Sequence, residues 1–458
     1  MKPTRPRSQY FKSTISHVMD SDVDGGLRAV GQNPTTTPTD SAFESSRTFL
    51  KCRLQNAVGR VTDINHPNDL DLCAQEPIRI PGGIQPHGAL LVLDADTLGM
   101  VHASTNLSER TGLRFAVGDQ SWGETAEGHE LHRELSSWLQ NVDKTFLRTI
   151  GIGERAMQVS AHQSPQGLQV EFESPPARVA DTLEALYPRL RAFVDTIGES
   201  NSVQDLAEAA VVEFRALSGF NRVMLYSFDA EGTGTVLAED NDGELPSYLD
   251  LRFPASDIPS QARELYRLNR LRLIPNANYT PVRIEPSISP IDGKPLDLSF
   301  AALRSVSPIH LEYMRNMGTL SSMSISILVE GRLWGLISCH NAEPRDVNAQ
   351  VRTACDFLGQ ILSLQIAARE RSAETARRIA LKQIEVSLVA RMSQSPAFQD
   401  ALLSDGAEWL KLVDAQGAAF VTPERLVTFG LTPSNPELEE LARWLHARGV
   451  NEVFATES

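Results

Sequence analysis

The residues of this chain best able to do covalent chemistry are four cysteines, and their spacing excludes two common uses of thiols. Cys52, Cys73, Cys339 and Cys355 are scattered without a Cys-x-x-Cys pair, so neither a disulfide framework nor a zinc site is expected. Cys339 falls in an apolar strand pattern and is expected to be a packed core thiol. Cys52 lies in a polar N-terminal arm and Cys355 in a helical segment. A lone cysteine is by default inert, so Cys73 carries an argument only through its flanking sequence.

Cys73 precedes the first of three segments that are dense in proline, glycine, histidine and acidic residues. They are Ile80-Pro81-Gly82-Gly83-Ile84-Gln85-Pro86-His87-Gly88, Phe253-Pro254-Ala255-Ser256-Asp257-Ile258-Pro259 and Ser307-Pro308-Ile309-His310-Leu311-Glu312-Tyr313. The first alone is typical of a loop between strands. In the second, flanking prolines restrict the backbone around Asp257. Asp257 is also a candidate N-cap for a helix over the residues that follow it.

Histidines supply the other titratable chemistry in these patterns. His310 lies in the third segment, and His340 follows Cys339. A lone histidine in an apolar stretch is more often a satisfied core residue, so neither would be singled out without its motif. We find no catalytic triad, phosphate-binding loop or metal-ligand spacing in the sequence that would compete with a binding function.

The bulk composition is that of an ordinary globular protein. A length of 458 residues suggests about three domains. The 43 basic and 58 acidic residues give a net charge of -15, which argues against a nucleic-acid partner. No apolar run reaches transmembrane length, and the basic N-terminus lacks the apolar stretch of a signal peptide. A reduced, cytoplasmic protein without a membrane partner is expected.

Hydrophobic periodicity predicts the elements that position these residues. Residues 1–65 are polar, lack periodicity and are expected to form a disordered arm. Strand patterns are expected at Ala89–Asp94, Leu168–Glu173, Arg222–Tyr226, Ser324–Val329 and Leu333–Cys339. A helical stretch begins near Thr182, and a long helical pattern runs from about Asp346 to Met392 with Leu358, Ile361, Leu362 and Ile366 on one face.

The three segments, in this order and spacing, resemble the photosensory module of phytochromes, specifically the bacterial, biliverdin-binding branch. The resemblance runs from about Cys73 to the end of the chain. It implies an α+β fold in which PAS-like and GAF domains have antiparallel sheets and flanking helices, with a long connecting helix to a truncated PHY domain. The implied divisions are an arm at 1–65, a PAS-like domain at 66–178, a GAF domain at 190–370, and the helix with the N-terminal part of PHY at 371–458. The family's figure-of-eight knot would place Ile84 at the crossing, although knots are rare.

The resemblance implies a red/far-red photoreceptor that signals through Z/E isomerisation of a covalently bound bilin. The bacterial branch attaches biliverdin IXα through a cysteine ahead of the first domain, and Cys73 occupies that place. A thiolate adds to the vinyl group of the bilin to give a stable thioether. Plant and cyanobacterial phytochromes use a cysteine immediately before the histidine of the second domain, where this chain has the unreactive Ile309. Attachment is expected to be autocatalytic, and the chain is not otherwise expected to be an enzyme.

Further positions match the family's noncovalent bilin contacts. Arg272 and Arg304 match the propionate-binding arginines, whose guanidinium groups present a fixed fork of donors. The backbone carbonyl of Asp257 would accept hydrogen bonds from pyrrole N–H groups. His310 would contact the ring nitrogens with a bound water, and His340 would form a hydrogen bond with the D-ring carbonyl. The remaining matched positions are Tyr266, Ser307, Ser322 and Ser324 for the propionates, Tyr226, Phe253 and Tyr313 around the D-ring, and Ile258 beside Asp257.

Other classes of function stay open from the residues alone. The chain is alternatively a non-photosensory ligand-binding module, such as a cyclic-nucleotide domain that regulates an output enzyme, or a dimerisation module. As a phytochrome it is expected to form a homodimer through GAF and spine helices and to act on an output domain or response regulator that is not in this chain. The Pro-Arg-x-Ser-Phe motif of the family's tongue does not occur in these 458 residues, so an incomplete PHY domain is expected.

Overall fold

The fold is known from a computed structural model that describes residues 53–55, 61–63, 76–141, 146–394, 403, 406–423, 425–449 and 454. Cys73, Cys52 and most of the expected 1–65 arm lie outside the described residues. The described chain divides into two compact units, one up to Ala373 and one that begins at Glu374. No helix among the described residues is long and apolar enough to cross a membrane.

The described residues form the following strands and α-helices. The strands are β1 (Arg53–Gln55), β2 (Val61–Asp63), β3 (Gly83–Ile84), β4 (Ala89–Leu93), β5 (Met100–Ser104), β6 (Phe146–Ile152), β7 (Arg155–Ser164), β8 (Gly167–Glu173), β9 (Arg222–Phe228), β10 (Gly234–Asn241), β11 (Arg252–Phe253), β12 (Leu271–Ile274), β13 (Val282–Glu285), β14 (Ser321–Val329), β15 (Arg332–Asn341), β16 (Gly417–Val421) and β17 (Leu426–Gly430). The helices are α1 (Leu107–Thr111), α2 (His129–Leu139), α3 (Leu183–Glu199), α4 (Val203–Ser218), α5 (Ser260–Leu268), α6 (Pro308–Asn316), α7 (Ala349–Gln394), α8 (Gly406–Val413) and α9 (Asn435–Ala447).

The first sheet is antiparallel and has the strand order β3-β13-β5-β4-β8-β7-β6. The strand predictions at Ala89–Asp94 and Leu168–Glu173 are confirmed as β4 and β8, which pair with each other. One face of this sheet packs on α2 and on the fully buried Trp122, whose indole N–H donates to the Leu98 carbonyl at 2.7 Å. This is the antiparallel PAS-like domain that the sequence predicted.

The second sheet is also antiparallel and has the order β11-β10-β9-β15-β14-β12. One of its faces packs on α3, α4 and the first half of α7. Helix α4 begins at a capping box of Ser202 and Asp205, and it ends at Gly219, whose φ of 67° favours glycine. Cys339 is fully buried in this core, which confirms the prediction of a packed thiol.

The long helix predicted from Asp346 to Met392 is confirmed as α7. Its apolar stripe at Leu358, Leu362 and Ile366 is fully buried in the core of the second sheet. The second unit, described by itself, contains the rest of α7, the hairpin of β16 and β17, and the helices α8 and α9.

Strand β13 leaves the second domain to join the first. It lies in the chain between β12 and β14 of the second sheet but pairs with β3 and β5 of the first. Ile84 pairs with Val282 on one side and bridges Arg304 on the other. A Cβ on Gly83 would come within 2.8 Å of the Val282 carbonyl oxygen, so this close approach requires glycine. The first segment is therefore held on both edges by the second domain, which supports the knot that the resemblance implies.

Candidate functional site

A cavity and a hydrophobic core occupy opposite faces of the second sheet. Along β14, Met323 and Ile325 are fully buried against the helices, whereas Ser322 and Ser324 line the cavity. Successive side chains of a strand point to opposite faces, so this alternation follows directly from the sequence. The same period places Ser338 and His340 of β15 toward the cavity.

The cavity has two adjoining compartments, which with the solvent space at their mouths enclose about 830 and about 1490 Å³. We call the first the aromatic compartment, because Tyr226, Tyr248 and Phe253 line it. We call the second the arginine compartment, because it contains Arg272 and Arg304. Both are lined by Asp257, Tyr266, His310, Tyr313, Ser322 and Ser324. Because they share these six residues, the two compartments form one continuous, elongated site.

The structure brings together most of the residues that the sequence singled out. Tyr226, Phe253, Ile258 and His340 line the aromatic compartment, and Arg272, Arg304 and Ser307 line the arginine compartment. The six residues shared by the two compartments complete the set. Ile84 does not line either compartment, because it is fully buried in a separate apolar cluster between the two domains. Cys73 lies outside the described residues.

The arginine compartment contains two cations that form no ion pair with any described residue. Arg272 donates to the backbone carbonyls of Ala302 and Arg304, and Arg304 donates to the Ile78 carbonyl at 2.6 Å. Neither forms an ion pair with a carboxylate among the described residues, and the Nε of Arg304 is buried without a hydrogen-bond partner there. Burial and then the charge of Arg272 lower the pKa of Arg304 to about 9. The compartment is therefore built for anionic groups.

The chain that follows Cys73 docks on this compartment. Ser307 donates its hydroxyl proton to the Glu76 carboxylate at 2.6 Å, and the Ile78 carbonyl accepts from Arg304. Glu76, Ile78 and Ile309 all line the compartment. A side chain at position 309 therefore faces the ligand space, and isoleucine gives it no nucleophile.

Helix α6 places His310 and Tyr313 at the junction of the two compartments. The Ser307 side chain caps the helix by accepting from the Ile309 N–H at 3.2 Å, and Pro308 stands at the first helical position. This start sets the helical register so that His310 and Tyr313, three residues apart, lie on one face. Their rings stack with centroids 6.1 Å apart. The side chain of His310 is exposed to the cavity, but desolvation by the surrounding protein and then the charge of Arg272 lower its pKa to about 4, so its imidazole is neutral near neutral pH.

Asp257 ends a short 3-10 turn, Ala255–Asp257, at the edge of both compartments. The expectation that Asp257 caps the following helix is wrong, because α5 begins three residues later, after Pro259, and no side chain caps it. Arg263 fixes the turn instead. Its guanidinium donates to the carbonyls of Ile258 at 2.8 Å and Ala255 at 3.3 Å. Arg263 therefore fixes the backbone on both sides of Asp257. The sequence did not indicate this role.

His340 lies at the far end of the aromatic compartment between an arginine and a serine. Its Nδ1 is 2.8 Å from Nη2 of Arg222, and its Nε2 is 3.0 Å from the Ser338 hydroxyl oxygen. Burial and then the charge of Arg222 lower the pKa of His340 to about 3. This imidazole is therefore a neutral hydrogen-bonding group.

Several lining residues were missed by the sequence interpretation. Met224 and Ser338 sit two positions from Tyr226 and His340, so strand alternation would have found both. Met314, Met317, Tyr248 and Thr319 also line the aromatic compartment, and no sequence signal marked them. The Thr319 hydroxyl is buried without a hydrogen-bond partner among the described residues. It is a free polar group beside the ligand space.

Two buried glutamates of β8 connect the first domain to this site. Glu171 accepts from the backbone N–H groups of Ala302 at 3.1 Å and Leu303 at 2.7 Å, immediately before Arg304. Burial raises the pKa of Glu171 to about 7. Glu173 accepts two hydrogen bonds from Arg352 of α7, at 2.5 and 2.9 Å. Strand β8 of the PAS-like sheet is therefore hydrogen-bonded both to the segment that leads into Arg304 and to the long helix α7.

Comparison with known proteins agrees with this architecture. The sequence matches the PAS fold over residues 73–175, the GAF domain over 202–369 and the phytochrome region over 381–458. Fold and cavity together define a PAS–GAF protein with a large cavity in its second domain. The boundaries of the implied domain divisions stay predictions.

Similar proteins and similar solved structures identify the family to which the chain belongs. The chain is 38% identical to cyanobacterial phytochrome B of Nostoc over 87% of this chain and 54% of that protein. It is 36% identical to a bacteriophytochrome of Xanthomonas campestris over 85% of this chain and 64% of that protein. The photosensory core module of the Stigmatella aurantiaca phytochrome superposes with a TM-score of 0.68 at 40% identity, covering 84% of this chain and 78% of that one. A bacteriophytochrome from R. palustris gives 0.70 at 34% identity, over 85% and 79%.

The chain belongs to the phytochrome family of photoreceptors, as its three segments predicted. The predicted PAS, GAF and PHY organisation and the α+β fold are confirmed as well. The chain spans about half to two thirds of the length of the curated relatives it matches.

Proposed function

We propose that this chain is a red/far-red light sensor that binds biliverdin IXα covalently through Cys73. The observation that carries the proposal is the pair of Arg272, which is buried, and Arg304, which is half-buried, in one compartment with no carboxylate partner among the described residues. Burying like charges without counter-ions is costly. A ligand with two carboxylates removes that cost, and biliverdin carries two propionates.

The rest of the cavity suits the other parts of a linear tetrapyrrole. Aromatic side chains pack well on flat conjugated rings, and Tyr226, Phe253 and Tyr313 provide them. The backbone around Asp257, held by Arg263, offers fixed carbonyl acceptors for pyrrole N–H groups. A rigid acceptor loses little entropy when a ligand binds. The neutral ring of His310 lies where it would hold or exchange a proton with a ring nitrogen.

A bound bilin supplies the conjugated system that absorbs light and the double bond that isomerises between Z and E. The protein would supply the aromatic packing surface, the cations for the propionates and the hydrogen bonds around the bilin. Arg272 and Arg304 would hold one part of the ligand, and His340 would contact another part.

Cys73 is the thiol best suited to attach the ligand. Burial raises the pKa of Cys339 well above its ordinary value and that of Cys355 to about 12, so neither offers the reactive thiolate. The described chain from Glu76 onward already lies against the arginine compartment, and Cys73 is three residues earlier. We propose that attachment needs no lyase and that the chain has no other enzymatic activity.

The relatives extend beyond the region shared with this chain, so the signalling partners are also proposals. We propose a homodimer formed through the GAF and spine helices, because Phe357 and Leu364 of α7 are large apolar side chains exposed to 48% and 72%. An output domain or response regulator would receive the signal in the cytoplasm.

An absorption spectrum with added biliverdin tests the proposed function directly. A red or far-red band that changes reversibly under alternating red and far-red light is expected. Zinc-induced fluorescence on a denaturing gel then reports covalent attachment, which should be lost in Cys73→Ser and kept in the matched control Cys52→Ser. A bilin band that persists in Cys73→Ser would show that the attachment site is wrong. A spectrum without any light-induced change would contradict the photosensory function itself.

A further inference from the structure

Arg222 and His340 are directly opposite each other on neighbouring strands. The register of β9 and β15 pairs them, so their side chains lie on the same face of the sheet. Arg222 is fully buried. Its guanidinium stacks on the Tyr248 ring, 3.9 Å from the centroid, and donates to the Pro246 carbonyl. The arginine is therefore fixed by three separate contacts, of which His340 is one.

The contact between them decides where the imidazole carries its proton. A guanidinium has five N–H donors and no acceptor. Since Nη2 of Arg222 lies 2.8 Å from Nδ1 of His340, Nδ1 must accept this hydrogen bond and the ring proton must be on Nε2. That proton points to the Ser338 hydroxyl oxygen, 3.0 Å away. Because Ser338 accepts there, its own hydroxyl proton is free to turn toward the cavity.

We propose that Arg222 is a positioning residue that holds His340 in the Nε2–H tautomer, so that His340 donates to Ser338 and leaves the Ser338 hydroxyl proton to donate to a carbonyl group of the ligand at that end. The proposal rests on the proposed function for the identity of the ligand. In the opposite tautomer, an Nδ1–H would face the N–H groups of Arg222, and a bare Nε2 would accept the Ser338 hydroxyl proton. No donor would then be left for a carbonyl oxygen.

Two substitutions of similar size separate this role from simple packing. Arg222→Lys keeps a side chain that can only donate, whereas Arg222→Gln introduces an amide that donates or accepts. Both lose the stacked guanidinium, so a merely structural role predicts similar defects in the two variants. A positioning role predicts that lysine preserves the tautomer and that glutamine does not.

Nitrogen NMR of the full chain with labelled histidine measures the tautomer without any bilin. We expect a protonated Nε2 and a bare Nδ1 for His340 in the wild type and in Arg222→Lys, and a mixture of tautomers in Arg222→Gln. His340→Gln assigns the resonances. In a Cys73→Ser background, where binding is reversible, we expect biliverdin affinity to fall roughly 2- to 12-fold in Arg222→Gln and not in Arg222→Lys.

A bare Nε2 in the wild type would overturn the proposal, and this measurement stands even if a variant does not fold. Equal tautomer populations in the lysine and glutamine variants would overturn it as well. A chain that does not bind biliverdin at all would contradict the proposed function, whereas the tautomer of the apoprotein would still decide the role of Arg222.

Discussion

The most decisive perturbation of the site is Arg304→Gln, because the structure predicts a large loss of ligand affinity and almost no change in folding stability. Arg304 shares the arginine compartment with Arg272, and the mutual repulsion contributes to the lowered pKa of Arg304, about 9. Glutamine removes the charge, and its shorter side chain gives up the hydrogen bond to the Ile78 carbonyl. Comparison with an uncharged ligand therefore isolates the electrostatic part of the effect.

The expected magnitude follows from the chemistry of the pair. A hydrogen bond to a charged group contributes about 1.5–3 kcal/mol, so biliverdin affinity should fall roughly 10- to 150-fold. The folding of the apoprotein should respond differently. The variant loses at most one hydrogen bond, about 1 kcal/mol, and it also relieves the repulsion from Arg272. We therefore expect the free energy of unfolding without bilin to change by less than about 1 kcal/mol.

The assay is an equilibrium titration in a Cys73→Ser background, followed by the bilin absorption band. Biliverdin dimethyl ester, with uncharged propionate esters, completes a double-difference cycle with the variant. The ester should bind wild type and Arg304→Gln almost equally. A matched control is Arg267→Gln, since Arg267 is half exposed on α5 and pairs with Glu264 at 2.7 Å. It should leave affinity for both ligands unchanged.

Two results would refute the reasoning. If the ester binds the wild type as tightly as the free acid, the arginines do not recognise the propionates. If Arg304→Gln weakens acid and ester by the same factor, the loss comes from altered packing and not from charge.

Three further predictions test other parts of the structure. Desolvation lowers the pKa of His310 from 6.5 to about 4, so the unfolded chain takes up the proton first, and the free energy of unfolding should fall as the pH drops from about 6.5 toward 4. Urea denaturation across that window should show a smaller drop for His310→Gln, and an unchanged drop would contradict the assignment. Glu173→Gln leaves the buried Arg352 without its anionic partner and should lower the free energy of unfolding by about 3–5 kcal/mol. If chemical denaturation shows a decrease below about 1 kcal/mol, the pair is not buried as described. Leu364→Glu puts a charge into the exposed stripe of α7 and should convert a dimer to a monomer in sedimentation, while Glu374→Gln on the same helix should not. A dimer that tolerates Leu364→Glu would place the interface elsewhere.

The parts of the site that were predictable from sequence are those governed by local patterns. Strand alternation fixes which residues of β14 and β15 face the cavity, and the helical register of α6 brings His310 and Tyr313 together. The family resemblance added the chemical roles. The sequence patterns and the family motifs named fifteen candidate residues. In the structure, thirteen of them line one cavity.

Long-range geometry was not predictable in the same way. Arg222 reads as an ordinary first residue of a strand, and only the register of β9 with β15 shows that it faces His340. The wrong N-cap assignment of Asp257 has a related cause, because the sequence did not show that Arg263 reaches back across the turn to hold it. Likewise, the buried glutamates of β8 look like the solvent-facing positions of an alternating strand. Their partners, Leu303 and Arg352, are more than a hundred residues away in the chain.

The pairing of β3 with β13 has a consequence for the order of events on the ribosome. Gly83 and Ile84 emerge early, but their partners at Val282 and Arg283 follow roughly 200 residues later. At a synthesis rate of roughly 5–20 residues per second, the delay is on the order of 10–40 s. During that interval the edge of β5 has no neighbour, and exposed strand edges invite pairing with other chains. Conditions that slow translation between the two domains would lengthen this exposure, so the yield of folded protein should depend on elongation rate as well as on stability.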